Sequence, residues 1–284
     1  MYDNDCESRS VITSQNFTCF HPITVIIKPM AWKFPHLSRI NSSREYLLDF
    51  ANQAASSIPQ GAAVLDAGAG KAPYKSFFGE AHYESADFCQ VDQKTYGDIT
   101  YVCDLAHIPV PDGKYDLVLL TQVLEHVPEP NLVLREIHRI LKPGGALWLS
   151  APLFFEEHDI PFDFYRYTQY GLKHLLNTTG FDIEKLTWLE GYYGTLSHQL
   201  INAYRALPLR PRDYGGGIWG IFASMVAFLI KPTFAGFSMF YAILDVRHKF
   251  TAKGQCKNYA VVARKPSSNL DRTADNAQKM DQPV

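Results

Sequence analysis

The sequence has few cysteines, and none of them form a pair with the spacing of a redox or metal motif. Cys6, Cys19, Cys89, Cys103 and Cys256 are an odd set without a C-x-x-C pair. This argues against a disulfide framework and against a structural zinc site built from such pairs. We therefore expect a protein of a reducing compartment.

The sequence also lacks an excess of charge. Its 27 Lys and Arg residues nearly balance its 29 Asp and Glu residues, and the net charge is -2 at pH 7. Such a chain has no overall attraction for nucleic acid, and its central region has no basic patch. The first ten residues, MYDNDCESRS, are acidic and polar, unlike a secretory signal. We expect no nucleic-acid partner, no signal peptide and a cytoplasmic location.

Short apolar runs alternate with helical patterns from Ala62 onward. The predicted strands are AAVLDA, AHYESADF, ITYVCDL, YDLVLLTQ, GGALWLSAP, FDIEKLTWLE and YAVVARK. PYKSFFG reads as the start of a helix, and PNLVLREIHRIL as an amphipathic helix. This order predicts parallel strands joined by right-handed crossovers. The expected fold class is α/β, a doubly wound, seven-stranded Rossmann-like sheet with an α-helical, apolar insertion before the last strand.

The chain divides into five predicted segments. Residues 1–40 form a leader without a sustained period, and residues 41–190 form the core, which opens with a helix over NSSREYLLDFANQAASSI. An insertion covers 191–257, the last core strand covers 258–265, and a polar tail covers 266–284, which we expect to be disordered. Within the core, TQYGLKHLLNTTG is predicted to be a helix that Thr168 caps and Gly180 ends.

The insertion contains the most apolar stretch of the chain, at 215–245. An uncharged run from Ile218 to Ile230 is interrupted by Lys231 and Pro232, and a second apolar run follows. Each half is shorter than the roughly 20 residues that span a bilayer, which predicts a hairpin dipping into one leaflet or a buried helix pair. Basic segments flank it, as expected for an element on an anionic membrane surface. A cap over an apolar substrate and a dimer interface are the alternatives.

The stretch VLDAGAGKAPYKSFF places an acidic residue and two glycines after a buried strand. Gly68 and Gly70 would let a ligand approach the backbone at the carboxyl ends of the strands, where open α/β sheets bind ligands. Asp87, at the end of the next strand, is placed to hold ribose hydroxyls. Pro73 stands where a dinucleotide fingerprint has its third glycine. Asp66 would repel a pyrophosphate and attract the amino group and sulfonium of S-adenosylmethionine.

Four motifs follow one another along the core: LDAGAG at 65–70, DLAHIP at 104–109, VLEHVPEP at 123–130 and ILKPGG at 140–145. In this order the chain resembles the class I S-adenosylmethionine-dependent methyltransferases of the methyltransferase type 11 group. Its members carry D-x-G-x-G, D-L-x-x-[IL]-P, L-E-H-V-P and L-K-P-G-G. The resemblance runs from about residue 41 to residue 187. Alone, the glycine turn could be an ordinary strand-to-helix connection, and LKPGG marks the fold rather than the chemistry.

The resemblance implies a cofactor site at the ends of the first four strands. Its residues are Asp66, Gly68, Gly70, Asp87, Asp104, Leu105, Thr121 and Gln122. The turn after the first strand would line the methionine part, Asp87 the ribose, the pair at 104–105 the adenine, and the pair at 121–122 would lie beneath the methionyl group. Asp104 could instead cap a local turn. Ala72 stands where many members have glycine, and we expect binding to survive this change.

Two histidines are candidates for the base that would take a proton from a hydroxyl acceptor. His126 follows the fourth strand and could equally shape the site. His158 belongs to EEHDIPFDFYRYT, which follows the fifth strand and resembles a loop of some bacterial members. Glu125 and His126 could help to bind a metal, as in some quinone-pathway relatives, but the sequence offers no clear third ligand, so we predict no metal site.

The same loop offers candidates for acceptor binding. Asp163 could orient or pair with Arg166, and Tyr165 and Tyr167 could form walls of the acceptor site. A packed aromatic loop with one Asp-Arg pair is the alternative, and we favour it for the two tyrosines.

Together these features predict an S-adenosylmethionine-dependent methyltransferase that acts on a small molecule or a lipid-linked glycan, at oxygen. We expect peripheral contact with the inner face of the membrane through 215–245, or a homodimer. A nicotinamide-dependent oxidoreductase and a non-catalytic S-adenosylmethionine-binding protein are the rivals. A nucleic-acid or protein methyltransferase is disfavoured, because the sequence has no basic channel and no N-P-P-Y motif.

Overall fold

A seven-stranded sheet is the central element of the computed structural model, which describes residues 42–91 and 94–267. The strands are β1 (Ala63–Ala67), β2 (His82–Asp87), β3 (Tyr101–Val102), β4 (Tyr115–Thr121), β5 (Leu141–Pro152), β6 (Asp182–Trp188) and β7 (Asn258–Arg264). Their order is β3-β2-β1-β4-β5-β7-β6. Neighbours from β3 to β5 are parallel, and β7 is antiparallel to both β5 and β6. The predicted α/β fold is confirmed, with the last strand reversed.

Helices cover both faces of the sheet. The first face carries α1 (Ser42–Ser56), and the second carries α2 (Pro130–Ile140) and α3 (Gln169–Thr178). The insertion forms α4 (Tyr192–Ala206) and α5 (Gly217–Arg247), which pack on each other. Successive side chains of a strand point to opposite faces. Leu117 and Leu119 of β4 therefore pack in the apolar cluster of α1, while Val118 and Leu120 pack in that of α2 and α3. With both faces covered, the carboxyl edge of the parallel strands is left to the loops.

The helix α3 begins and ends where the sequence predicts. The hydroxyl oxygen of Thr168 accepts a hydrogen bond from the backbone N–H of Gly171 at 3.1 Å, which caps the first turn. Gly180 follows the last turn with a φ of +94°, a backbone conformation that favours glycine.

The predicted start of a helix at PYKSFFG is present as a short helix. The structure has a 3₁₀-helix over Lys75–Phe78 there, and β2 begins at His82. A 3₁₀-helix rises about 2.0 Å per residue, against about 1.5 Å for an α-helix. The 3₁₀-helix therefore extends further per residue than an α-helix would, in the short connection between the glycine turn and β2.

The prediction that 215–245 forms a hairpin or a buried pair of helices is wrong. Helix α5 is continuous for 31 residues, with Pro232 inside it. Pro232 has no N–H to donate within the helix. The hydroxyl of Thr233, next to it, donates to the carbonyl of Ile230 at 2.7 Å. The helix is about 46 Å long. By length and composition, α5 is the one candidate for a membrane-crossing helix among the described residues.

Two hydrogen bonds hold α5 against α4. The hydroxyl of Ser197 donates to the carbonyl of Ser238 at 2.7 Å, and the hydroxyl of Ser238 donates to the carbonyl of Ser197 at 2.8 Å. Near its end, α5 also meets the start of α4, where the backbone N–H of Gly191 donates to a carboxylate oxygen of Asp245 at 3.3 Å. The insertion thus packs as a helix pair joined to the core. The predicted leader at 1–40 and the predicted tail from residue 268 onward lie outside the described residues.

Gly194→Ala tests the close contact between α4 and α5. A Cβ atom at this position would lie 2.6 Å from a carboxylate oxygen of Asp245 and 3.0 Å from the Cβ of Glu190. We expect the free energy of unfolding to fall by about 1–3 kcal/mol, as for an overpacked core. Chemical denaturation monitored by circular dichroism measures the change.

Gly236→Ala is the matched control, because a Cβ atom there meets nothing within 4 Å inside the same helix pair. It should stabilise the protein by about 0.5–1 kcal/mol, since alanine favours the helix over glycine. Equal effects of both substitutions would contradict the observed packing.

Candidate active site

The turn after β1 approaches the chain that follows β4. Gly68 has a φ of +75°, and a Cβ atom on it would lie 2.3 Å from a methyl group of Val123. Its backbone N–H donates to the carbonyl of Ala86 in β2 at 2.7 Å. Glycine is therefore required at 68 by the protein's own packing, in addition to any approach of a ligand.

Gly70 and Ala72 of the same turn also have left-handed backbone conformations. Gly70 has a φ of +55°, and a Cβ atom there would meet nothing within 4 Å, so the space beside it is open. Ala72 has a φ of +51°, a conformation that is costly for a side chain with a Cβ. The alanine at 72 therefore carries strain that the glycine of many family members would avoid.

Asp66 is buried at the end of β1. It is 1% exposed, and one carboxylate oxygen accepts a hydrogen bond from the hydroxyl of Tyr83 at 2.6 Å. Burial raises the pKa of Asp66 to about 6, although the Tyr83 bond opposes this shift and the charge of Asp87 adds to it. Near neutral pH the carboxyl carries a negative charge beneath the glycine turn, and mild acid removes that charge.

Asp87 lies at the end of β2, beside the glycine turn, as predicted. Its carboxylate accepts the backbone N–H of Gly70 at 2.9 Å and that of Cys89 at 3.0 Å. It therefore ties the turn after β1 to the loop after β2. Its contact with ribose hydroxyls remains a prediction.

The DLAHIP motif follows β3 at the same edge. The backbone N–H of Cys103 donates to the carbonyl of Asp87 at 2.9 Å, which brings the motif next to the end of β2. Asp104 is exposed, and one of its oxygens accepts the backbone N–H of Ala106 at 2.9 Å, so it also caps a local turn. Leu105 is buried in the core.

Thr121 and Gln122 end β4 near the centre of the sheet. Gln122 has a φ of +55°, its backbone N–H donates to the carbonyl of Ser150 at 2.9 Å, and its side-chain amide donates to the Ser150 hydroxyl at 3.1 Å. Thr121 pairs with Ser150 across the sheet and hydrogen-bonds to the hydroxyl of Tyr74. Both residues lie at the predicted edge.

The two predicted catalytic histidines are in contact. The Nε2 atoms of His126 and His158 are 3.1 Å apart, and their rings meet edge to face. His126 Nδ1 lies 2.6 Å from the carbonyl of Phe162, and His158 Nδ1 lies 3.1 Å from the carbonyl of Glu156. Burial lowers the pKa of His126, which keeps its ring neutral near pH 7.

The loop at 153–168 brings this histidine pair to the edge of the glycine turn. The rings of Phe88, next to Asp87, and Phe162 meet edge to face with centroids 5.2 Å apart. Lys94, in the loop after β2, pairs with Asp159 at 2.7 Å. The residues after β2 and β4 and this loop therefore surround one region at the carboxyl edge.

The four predicted acceptor residues hold the loop in place. The guanidinium of Arg166 donates to both oxygens of Asp163 at 2.6 and 2.7 Å, and these bonds hold the pKa of Asp163 at about 2. The hydroxyl of Tyr165 donates to the carbonyl of Pro128, and that of Tyr167 to the carbonyl of Leu124, both at 2.9 Å. These contacts favour the packed-loop interpretation, and contact with an acceptor stays a prediction.

Sequence reasoning underrated Glu125 and missed Tyr83 and Lys94. Glu125 is fully buried, and neither carboxylate oxygen has a hydrogen-bond partner among the described residues. Burial raises its pKa to about 8. A glutamate inside the apolar run VLEHV was the available signal. Nothing in the spacing indicated that Tyr83 would meet Asp66 or that Lys94 would meet Asp159.

Residues 65–149 match the family model described as "Methyltransferase domain". A Mycolicibacterium smegmatis protein described as a probable S-adenosylmethionine-dependent methyltransferase is 33% identical over 87 residues, which are 28% of this chain and 34% of that protein. The ubiquinone biosynthesis O-methyltransferase of Pseudomonas paraeruginosa is 50% identical over 39 residues, which are 14% of this chain and 17% of that enzyme.

Among solved structures, the 1,6-didemethyltoxoflavin-N1-methyltransferase of Burkholderia thailandensis aligns over 78% of each chain, with 15% identity and a TM-score of 0.46. The matches to the two curated relatives cover about a third and about a sixth of their lengths. The family match covers the glycine turn, β2 to β4 and α2, and so includes loops that form this edge. Residues 65–149 thus match the methyltransferase domain family, and this part of the chain is similar to S-adenosylmethionine-dependent methyltransferases.

Proposed function

We propose that the protein transfers the methyl group of S-adenosylmethionine to a small-molecule or lipid-linked glycan acceptor, at oxygen. The observation that carries the proposal is the pair of carboxylates around an open glycine turn, inside the region that matches the methyltransferase family. One negative charge beneath the turn and one beside it suit a nucleoside that carries an amino group and a sulfonium.

Each predicted cofactor residue has a proposed role. Asp66 would attract the cationic methionine end, and Gly70 would leave room for it. Asp87 would bind the ribose with the lone pairs that the backbone does not use, and Asp104 with Leu105 would border the adenine.

The histidine pair supports an acceptor that loses a proton. Methyl transfer from a sulfonium is an in-line displacement, so the protein has to align donor and acceptor and accept the proton of a hydroxyl. His126 is neutral near pH 7 and His158 is partly exposed, so both are placed for this role. Hydrogen bonds to backbone carbonyls orient both rings, which supports a defined function.

Calorimetric titration with S-adenosylmethionine at two pH values tests the cofactor site. Protonation of Asp66 below its pKa of about 6 removes the charge that attracts the ligand. We expect the affinity at about pH 5 to be about tenfold lower than at about pH 7.5. Asp66→Asn should show the lower affinity at both pH values, because its amide keeps the shape and has no charge.

S-adenosylhomocysteine and NAD⁺ are the ligand controls. The first lacks the sulfonium charge, so a smaller loss on Asp66→Asn would assign Asp66 to the sulfonium, and an equal loss would assign it to the amino group. Binding of NAD⁺ with no binding of S-adenosylmethionine would support the oxidoreductase instead. Binding without transfer of a labelled methyl group to any hydroxylated acceptor would support a non-catalytic binding protein.

The outer face of α5 supports a second element of the proposal, a contact with an anionic membrane surface from the cytoplasmic side. Large apolar side chains are exposed at helical spacing along its first half, and Trp219 is 77% exposed. The residues are Ile218, Trp219, Ile221, Phe222, Met225, Phe228 and Leu229. The small residues Gly220, Ser224 and Ala227 are buried against the rest of the protein. A contiguous exposed apolar face with basic flanks suits an interfacial helix.

The insertion also contacts the loop that carries His158. His198 of α4 pairs with Glu156 at 2.7 Å, and its ring stacks on Phe155 with centroids 5.1 Å apart. A membrane-bound α5 would therefore bring the acceptor loop near the lipid surface, which supports a lipid-linked acceptor.

The three cysteines among the described residues are free, in keeping with a reducing compartment.

Vesicle co-sedimentation tests the membrane contact. For vesicles that contain anionic phospholipid, the partition coefficient of the double variant Trp219→Ser, Phe222→Ser should be lower than that of the wild type by a factor of about ten or more. The reason is that the variant removes two exposed apolar side chains. Binding of the wild-type chain should be weaker to vesicles of neutral lipid only.

Leu132→Ser is the matched control, because Leu132 is an exposed apolar residue on α2, away from the insertion. It should leave partitioning unchanged. If the double variant partitions like the wild type, the membrane proposal fails. A change from dimer to monomer in solution would then assign the face of α5 to a second copy of the chain.

A further inference from the structure

Glu125, His126 and His158 converge at one point. One ligating atom of each can be chosen so that all three lie within 4.8 Å of one another. His126 Nε2 is 3.1 Å from His158 Nε2 and 3.8 Å from a carboxylate oxygen of Glu125. A tetrahedral ion with bonds of about 2.0–2.1 Å has its ligands roughly 3.3 Å apart. The observed spacing is close to that of a metal site.

The hydrogen bonds of the two rings define which nitrogens face each other. A carbonyl oxygen only accepts hydrogen bonds, so the contacts with Phe162 and Glu156 place a proton on Nδ1 of each ring. In a neutral ring the Nε2 atom then carries a lone pair and no proton. Two such lone pairs 3.1 Å apart repel unless a cation or a shared proton lies between them.

Glu125 adds an independent observation. Its carboxylate is fully buried, and neither oxygen has a hydrogen-bond partner among the described residues. A buried carboxylate is stable when it is protonated or when it binds a cation. Because the carboxylate lies next to His126 Nε2, one cation would compensate both the carboxylate and the facing histidines.

The surroundings are those of a supported metal site. The carbonyl bonds to the Nδ1 atoms are the outer contacts that metal-binding histidines make. The backbone N–H of His158 donates to Asp163 at 2.8 Å, and Arg166 fixes Asp163. The His158 side chain is 31% exposed, so one side of the site reaches solvent.

We propose that Glu125, His126 and His158 bind one divalent first-row transition-metal ion, with zinc as the reference ion. Two imidazoles and a carboxylate are the ligand set of many zinc sites that keep one position open. The open position would hold the hydroxyl oxygen of the acceptor, and the ion would lower the pKa of that hydroxyl. Since the ion would occupy the Nε2 lone pairs of both histidines, solvent rather than a histidine would then take the proton. This use of the ion rests on the proposed methyl transfer. The binding of the ion itself does not depend on that function.

The test uses the full chain, freed of metal by a chelator and without an affinity tag, titrated calorimetrically with Zn²⁺. We expect one ion per chain. Co²⁺ should bind at the same stoichiometry and show the visible absorption of cobalt at a low-coordinate site. Glu125→Gln and His158→Ala should each weaken Zn²⁺ binding at least about 100-fold, because each removes a ligand.

His174→Ala is the matched control, because His174 is exposed on α3 and outside this cluster. It should leave Zn²⁺ binding unchanged. Far-UV circular dichroism and titration with S-adenosylmethionine show whether each variant is folded. A variant that binds the nucleoside and has lost Zn²⁺ has its defect at the metal site. If the wild-type chain binds Zn²⁺ but not S-adenosylmethionine, the metal site is supported and the proposed methyl transfer is contradicted.

Absence of one-to-one binding by Zn²⁺ and Co²⁺ would overturn the proposal. So would equal Zn²⁺ affinity in the wild type and His158→Ala. Nuclear magnetic resonance of the imidazole nitrogens gives the alternative directly. If one proton is shared between the two Nε2 atoms and Zn²⁺ does not displace it, the pair is a hydrogen-bonded dyad without a metal.

Discussion

Gly68 passes Val123 so closely that no side chain fits between them, and the arrangement of the site depends on this contact. It joins the turn after β1 to the segment after β4. The bonds of Gly68 to Ala86 and of Gly70 to Asp87 then join the same turn to β2. Three neighbouring strands therefore end in loops that can move little relative to one another. A cofactor site formed by such loops is largely organised before the ligand arrives.

The segment after β4 connects this turn to the acceptor side. Val123 is followed by Glu125 and His126, and the backbone N–H of Phe164 donates to the carbonyl of Glu125 at 2.8 Å. The loop that carries His158 is thereby docked onto the same segment that packs on Gly68. The donor and acceptor sides of the proposed reaction therefore both pack against one short stretch of chain, the segment after β4 that contains LEHV.

The parts of this account that depend on local pattern could be predicted from the sequence. The alternation of apolar runs indicated the strands, and the cap at Thr168 indicated where α3 begins. The parts that depend on distant contacts could not. His126 and His158 are 32 residues apart, and only the folded loop shows that their rings meet. Pro232 indicated a break in the apolar segment, but local propensity was overridden by packing on α4 and by the length of the apolar run.

The central claim is that the carboxyl edge at Gly68, Gly70 and Asp87 binds the ribose of S-adenosylmethionine. A double-mutant cycle tests it most directly, with Asp87→Asn on the protein side and the 2′-deoxy analogue of S-adenosylhomocysteine on the ligand side. If Asp87 holds the ribose hydroxyl, each change alone weakens binding. The two changes together then cost little more binding free energy than one of them, which gives a coupling energy of about 1 kcal/mol or more. Losses that simply add, or a folded wild-type chain that binds neither ligand, would contradict the account.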